Sequence, residues 1–174
     1  MDHKIVFMGK TGAGKTSAIN KIFGLYWKTD SDIECTRIIQ AAWIRNDRKE
    51  FGNRYDSIMV IDTPGIAAAL ENDAYYMPFY HHALALANCI VWVSQGNTRA
   101  DSADQIMLQK LKPYIRNGTK FLVCVNHVDK IGEKYSENWD ADKNEPKEKM
   151  LYSIHIRCGE LRSRFAEVSM ELEY

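Results

Sequence analysis

Apolar residues occur along this chain in short runs separated by polar stretches, and the spacing of each run predicts its element. Ile5-Val6-Phe7-Met8 is unbroken, the mark of a strand covered on both faces. From Thr16 to Gly24 the apolar positions fall at helical intervals, and Gly24 is a natural stop. Leu25 to Cys35 is polar and reads as a loop. Thr36 to Arg45 and Tyr55 to Ile61 read as two strands of a hairpin, turned by the charged stretch Asn46 to Arg54.

Asp62-Thr63-Pro64-Gly65 ends the hairpin in a turn, Ile66 to Met77 reads as a mixed loop, and Pro78 to Ala87 as a helix. Cys89 to Val93 predicts a short buried strand, and Ser94 to Ala100 a loop. Asp101 or Ser102 caps a helix to about Lys112, and Asn117-Gly118 marks a turn before a strand over Thr119 to Val125. Asn126 to Glu145 is long and polar, and its charge-rich part reads as a solvated loop. Pro146 suits the first position of a helix to about Ser163, and Phe165 to Ser169 fits a last short strand.

Strands alternating with helices around one hairpin indicate a three-layer α/β fold, its sheet mostly parallel with one antiparallel hairpin strand. In such sheets ligands sit at the carboxyl ends of the strands. At 174 residues, one domain over 1–174 is expected. Lys+Arg and Asp+Glu are 23 each, so the formal charge is zero, which argues against a broad nucleic-acid-binding surface. No signal peptide is visible at the charged start, and no apolar run approaches the roughly 20 residues of a membrane helix. Cys35, Cys89, Cys124 and Cys158 show no close pairing and read as reduced, buried packing thiols of a cytoplasmic protein.

The chemistry gathers at three strand ends. Gly9-Lys10-Thr11-Gly12-Ala13-Gly14-Lys15-Thr16, between the first strand and first helix, fits the Gly-x-x-x-x-Gly-Lys-Thr phosphate loop. Its glycines let backbone N–H groups approach an anion, and the helix starting near Ser17 adds its positive end. Lys15 would reach the outer phosphates and Thr16 would hold Mg²⁺. Asp62, at the end of a strand, suits a hold on the same Mg²⁺, and the Gly65 N–H can approach a terminal phosphate. Asn126-His127-Val128-Asp129 follows another strand. The Asp129 carboxylate can accept two hydrogen bonds from a guanine edge, which adenine does not offer, while Asn126 supports the base and ties loops together.

This ordered set resembles a small GTPase domain of the translation-factor class with the P-loop NTPase fold. The phosphate loop is most similar to Era-like bacterial GTPases of the YfjP/YeeP kind, and it also resembles the septin and Toc branch. The resemblance covers nearly the whole chain. It implies GTP or GDP with Mg²⁺ as cofactors and makes Lys15, Thr36 and Gly65 the groups around the γ-phosphate. Thr36 matches the switch threonine that closes on Mg²⁺, and Ser169, in Val168-Ser169-Met170, matches the last base-contacting loop. His127 stands where the family carries a base-packing Lys, and His can stack there instead. Ile66 stands where Ras-like members carry the Gln that orients the attacking water, so hydrolysis should be slow alone. Gly12 stands where potassium-activated relatives carry Asn, so no potassium dependence is expected. Only Glu171 to Tyr174 follow the last expected strand, so the closing helix of the family fold is expected to be missing.

Two functions fit: a GTP-hydrolysing switch, or a non-hydrolysing guanine-nucleotide module that dimerises or docks a partner. An ATPase of the same superclass is a weaker third. Tyr75, Tyr76, Phe79 and Tyr80 read as partial core cover, or as a dimer or effector surface on the nucleotide face. His81-His82 lie on a helix too far apart in angle to chelate a metal. Arg37, Arg45, Arg48 and Arg54 mark where an RNA, ribosome or protein partner could touch, though scattered surface charge is the plainer account.

Overall fold

The computed structural model describes residues 3–29, 39–45, 57–66, 70–97, 102–131 and 135–166. A five-stranded sheet is built from β1 (His3–Met8), β2 (Gln40–Arg45), β3 (Ser57–Asp62), β4 (Cys89–Gln95) and β5 (Lys120–Asn126), in the order β2-β3-β1-β4-β5. β1 pairs in parallel with β3 and β4, and β4 with β5, whereas β2 runs antiparallel to β3. The mostly parallel sheet with one hairpin strand is therefore as the alternation of elements required. Because β1, β3, β4 and β5 run the same way, their carboxyl ends meet along one edge.

Helices cover both faces. On one, α1 (Lys15–Phe23) lays Ile19 and Phe23 over Phe7, Val60 and Val93. On the other, Tyr80, Ala83 and Leu84 of α2 (Leu70–Leu86), Met107, Leu108 and Leu111 of α3 (Ser102–Leu111), and Leu161 and Phe165 of α5 (Glu148–Ala166) close over Val6, Met8, Ile61, Ile90, Trp92 and Phe121. Among the described residues, no helix is long and apolar enough to cross a membrane.

Several boundaries differ from the sequence reading. α2 begins at Leu70 rather than at Pro78, which lies inside it. Tyr76, Met77, Tyr80, Ala83, Leu84 and Ala87 form one stripe against the core, and that continuous burial outweighs the helix-starting preference of proline. Ser94 and Gln95 extend β4, because the parallel ladder with β5 continues to Gln95 opposite Asn126. The polar stretch after β5 is not all loop: it holds α4 (Tyr135–Asn138) and a ribbon of β6 (Trp139–Asp140) with β7 (Glu145–Pro146). Pro146 thus ends a strand rather than opening α5, which starts at Glu148.

α5 also runs past its predicted end. Met150, Ile154, Arg157, Leu161 and Phe165 recur at helical spacing on its inner side. Phe165, 1% exposed, packs its ring against Trp92 and Phe121, so Phe165 and Ala166 are helical and not the start of a strand. Cys89, Cys124 and Cys158 are free, with Cys89 buried but Cys158 exposed, which corrects the reading of all cysteines as packing residues. Cys35 and the turn Asn46 to Arg54 lie outside the described residues, as do Thr36 and Ser169.

Candidate nucleotide-binding site

The segment between Met8 and Lys15 is shaped by what holds its carbonyl groups. Lys15 Nζ donates to the carbonyls of Gly9 and Lys10 at 3.0 and 3.1 Å. Ala13 N–H donates back to Lys10 at 3.1 Å, closing a turn with Gly12 at φ 77°. Gln95 Nε2 donates to the Gly12 carbonyl at 2.7 Å, and Asn126 Nδ2 to that of Ala13 at 3.0 Å. The Gly14 carbonyl accepts the Ala18 N–H at 2.9 Å, as the first helical bond of α1. A planar trans peptide points its N–H opposite its C=O. Holding the Ala13 and Gly14 carbonyls therefore turns the Gly14 and Lys15 N–H groups the other way. Among the described residues these two, with the Gly12 N–H, have no protein acceptor. Outward carbonyls with inward N–H groups at a helix start form an anion cradle.

Gly14 is required by geometry twice over. Its φ is 87°, in the left-handed region, and a Cβ there would overlap the Asn126 carboxamide nitrogen. Ser17 is exposed on the first turn of α1.

Lys15 is 6% exposed, and burial pushes its pKa down from 10.5 to about 8, against the pull of Asp62 and Asp104. Asp62 is fully buried at the end of β3. Burial raises its pKa, while the Thr16 hydroxyl and Lys15 pull it back. Thr16 Oγ1 donates to Asp62 Oδ2 at 2.5 Å, and Asp62 Oδ1 is buried without a hydrogen-bond partner. A hydroxyl beside an unsatisfied carboxylate oxygen is an oxygen-donor pair that suits Mg²⁺, which takes one or two carboxylates plus phosphate oxygens rather than a protein cage. Among the described residues, no group of three or more His, Cys, Asp or Glu could hold a metal ion.

The turn after β3 is fastened to the phosphate loop. Thr63 Oγ1 donates to the Phe7 carbonyl at 2.9 Å. Ile66 N–H donates to Gly9 at 3.1 Å and Thr11 N–H to Ile66 at 3.2 Å, forming a parallel bridge between Lys10 and Ile66. Gly65 lies so close to Thr11 that a Cβ would overlap the Thr11 hydroxyl and come within 2.6 Å of its Cα. Tyr80, fully buried on α2, donates its hydroxyl to the Pro64 and Gly65 carbonyls at 3.3 and 3.4 Å.

At the end of β5, Asn126 uses both ends of its side chain. Nδ2 reaches the phosphate loop, and Oδ1 accepts the His127 N–H at 2.9 Å. His127 adopts φ 54°, and its Nε2 lies 3.5 Å from the place of a Cβ on Gly14. Asp129 is half-buried in a one-turn 3₁₀ helix, Val128–Lys130.

Lys15, Thr16, Asp62, Gly65, Asn126 and His127 are thus brought together around one loop. Four participants were missed. Thr63 gives no signal beyond following a strand, and Gln95 falls in what the sequence reads as a loop. Tyr80 groups by sequence with its aromatic neighbours, although its hydroxyl braces the Pro64-Gly65 turn. Asp104, 5% exposed on α3, lies within electrostatic reach of Lys15, and only its helical spacing with Met107, Leu108 and Leu111 hints at burial.

Residues 4–127 match the model of a family described as 50S ribosome-binding GTPase. Two uncharacterized proteins of Escherichia coli, YkfA and YfjP, are 31% and 30% identical over 102 residues, which is 58% of this chain. This chain spans about a third of the length of these curated relatives (33%). A crystal structure of an Aquifex aeolicus Era variant bound to GDP·AlF4⁻ superimposes with a TM-score of 0.69 at 20% identity, over 97% of this chain and 49% of that one. At that identity the likeness speaks for the fold. The chain belongs to the 50S ribosome-binding GTPase family and has a P-loop fold like that of Era.

Proposed function

We propose that residues 1–174 form one G domain that hydrolyses GTP to GDP and phosphate as a Mg²⁺-dependent switch, slowly when alone. The observation that carries this reading is the Thr16–Asp62 hydrogen bond beside buried Lys15, with Asp62 Oδ1 unsatisfied. Thr16 and Asp62 hold Mg²⁺, joined by Thr36 when GTP is bound. The ion neutralises charge on the phosphates.

The N–H groups of Gly12, Gly14 and Lys15 cradle the phosphates, and the Lys15 ammonium leaves the Gly9 and Lys10 carbonyls for a phosphate oxygen. Gly65 N–H meets the γ-phosphate. Water attacks the γ-phosphorus, the bond to the β–γ bridging oxygen breaks, and that oxygen leaves on GDP with no covalent intermediate. Loss of the γ-phosphate frees the Thr36 and Gly65 segments, which is the switch. Asp129 reads the guanine edge, His127 packs along the base, and Asn126 and Ser169 support it.

Ile66 favours slow turnover. Its side chain is 3% exposed within the core and offers no hydrogen bond to a water. The same fact supports the second reading, a module that holds guanine nucleotide to dimerise or dock a partner with negligible turnover. Exposed Tyr75 and Phe79 on α2 give a second copy or a protein effector an apolar foothold, and the family description raises an RNA or ribosome partner. The free thiols suit the cytoplasm.

Single-turnover phosphate release from GTP, with and without Mg²⁺ and across protein concentrations, tests the switch. Mg²⁺-dependent release supports it, and none under any condition leaves the module. Stabilisation by ADP equal to that by GDP would remove the guanine assignment.

A further inference from the structure

We infer that Gln95 is a positioning residue of the phosphate loop, acting as the second of two carboxamide clamps. This deepens the reading above and rests on the loop being an anion site. Gln95 and Asn126 are neighbours in register at the ends of β4 and β5. They donate to consecutive carbonyls of the loop, Gln95 Nε2 to Gly12 at 2.7 Å and Asn126 Nδ2 to Ala13 at 3.0 Å. The two strand ends are locked to each other, because Gly96 N–H donates to the Asn126 carbonyl at 2.7 Å.

Each clamp has a distinct consequence. The Asn126 bond fixes the Ala13–Gly14 peptide and so aims the Gly14 N–H into the cradle. The Gln95 bond fixes the Gly12–Ala13 peptide, and its N–H is then aimed at the Lys10 carbonyl 3.1 Å away. That closes the Lys10–Ala13 turn on which the free Gly12 N–H is carried. Gly12, at φ 77° with no side chain, has backbone freedom to lose here. A neutral carboxamide supplies this donor without adding charge. A carboxylate at the same place lacks the donor, faces the Gly12 carbonyl with negative charge, and opposes an incoming anion.

The Gln95 bond is at the surface, so its removal changes loop order more than fold stability. The probes are pyrophosphate, which tests the cradle without a base, and GDP. Gln95→Glu and Gln95→Ala are compared with the unaltered chain by titration, together with melting of the ligand-free proteins. The expected result is pyrophosphate and GDP affinities reduced roughly tenfold for Gln95→Ala, and further for Gln95→Glu, with ligand-free melting unchanged. Unchanged affinities in both variants would overturn the inference. So would parallel loss of affinity and melting temperature in both variants, since a merely structural role predicts that. Pyrophosphate binding that depends on Gln95, in a chain that does not prefer GDP over ADP, would keep this inference while removing the guanine reading.

Discussion

Thr16 and Asp62 lie 46 positions apart in the chain, and the Thr16 hydroxyl donates to Asp62 Oδ2 over 2.5 Å. The contact exists because α1 starts and β3 ends at the same edge of the sheet. It leaves Asp62 buried, with its other oxygen unsatisfied and its pKa raised by burial. A raised carboxyl pKa stabilises the fold only at low pH, and that contribution is lost as pH climbs through the shifted value. Ionising Asp62 therefore weakens the ligand-free protein.

Asp62→Asn keeps an oxygen for Thr16 and removes the charge. The ligand-free melting midpoint at pH 7 should rise by about 2–4 °C, corresponding to about 1 kcal/mol. The gain in GTP affinity on adding Mg²⁺ should disappear. A lower midpoint with the Mg²⁺ response intact would contradict both the assigned burial cost and the assigned ligand.

Lys15 makes the opposite use of the same burial. Its pKa falls to about 8 in the fold, against 10.5 as the ordinary value. Between those values the unfolded chain binds more protons, so the ligand-free protein should gain stability as pH rises from about 8 to 10.5. Phosphate binding needs the charged ammonium, so GDP affinity should fall over the same window. Lys15→Met should flatten the stability slope and weaken GDP binding by roughly 10- to 100-fold. Melting and titration series at stepped pH follow both effects.

How much of this was legible depended on whether local pattern or tertiary packing decided the matter. The phosphate loop, Asp62 and Asn126 were readable from their order and spacing along the chain rather than from any one of them alone. Pro78 misled, because a helix pinned by Tyr76, Tyr80 and Ala83 tolerates an internal proline. Phe165 misled for a related reason: its aromatic partners Trp92 and Phe121 come from distant strands, and no local window contains them. Gln95 was invisible because its partner is a backbone carbonyl 83 positions away, which no side-chain pattern records.

Gly65 tests whether the turn after β3 must lie against the phosphate loop. A Cβ there would meet Thr11 backbone atoms at 2.6 and 2.8 Å as well as its hydroxyl. Trimming the Thr11 side chain therefore cannot relieve the clash. Gly65→Ala should push the turn away and lower single-turnover phosphate release by roughly a hundredfold. GDP affinity should stay near that of the unaltered chain, because GDP has no γ-phosphate for Gly65 to meet. Equal losses in both measurements would mean that the turn shapes the whole pocket.

Ile66 offers the sharpest separation between sequence analogy and structure. Analogy says that glutamine at this position restores water orientation and speeds hydrolysis. The structure says otherwise: Ile66 is fastened by its own backbone to Gly9 and Thr11, and its side chain is committed to the core with Tyr80, Leu84 and Leu108. A carboxamide introduced there replaces apolar contact with a buried polar group and should destabilise the fold by about 1–3 kcal/mol. With the backbone bonds intact, the new amide is held on the core side. Ile66→Gln should therefore lower the melting midpoint without raising phosphate release. Faster release with a normal midpoint would mean that this segment detaches from Lys10 and Thr11 when GTP binds, which hydrogen exchange at the Thr11 and Ile66 amides would reveal directly.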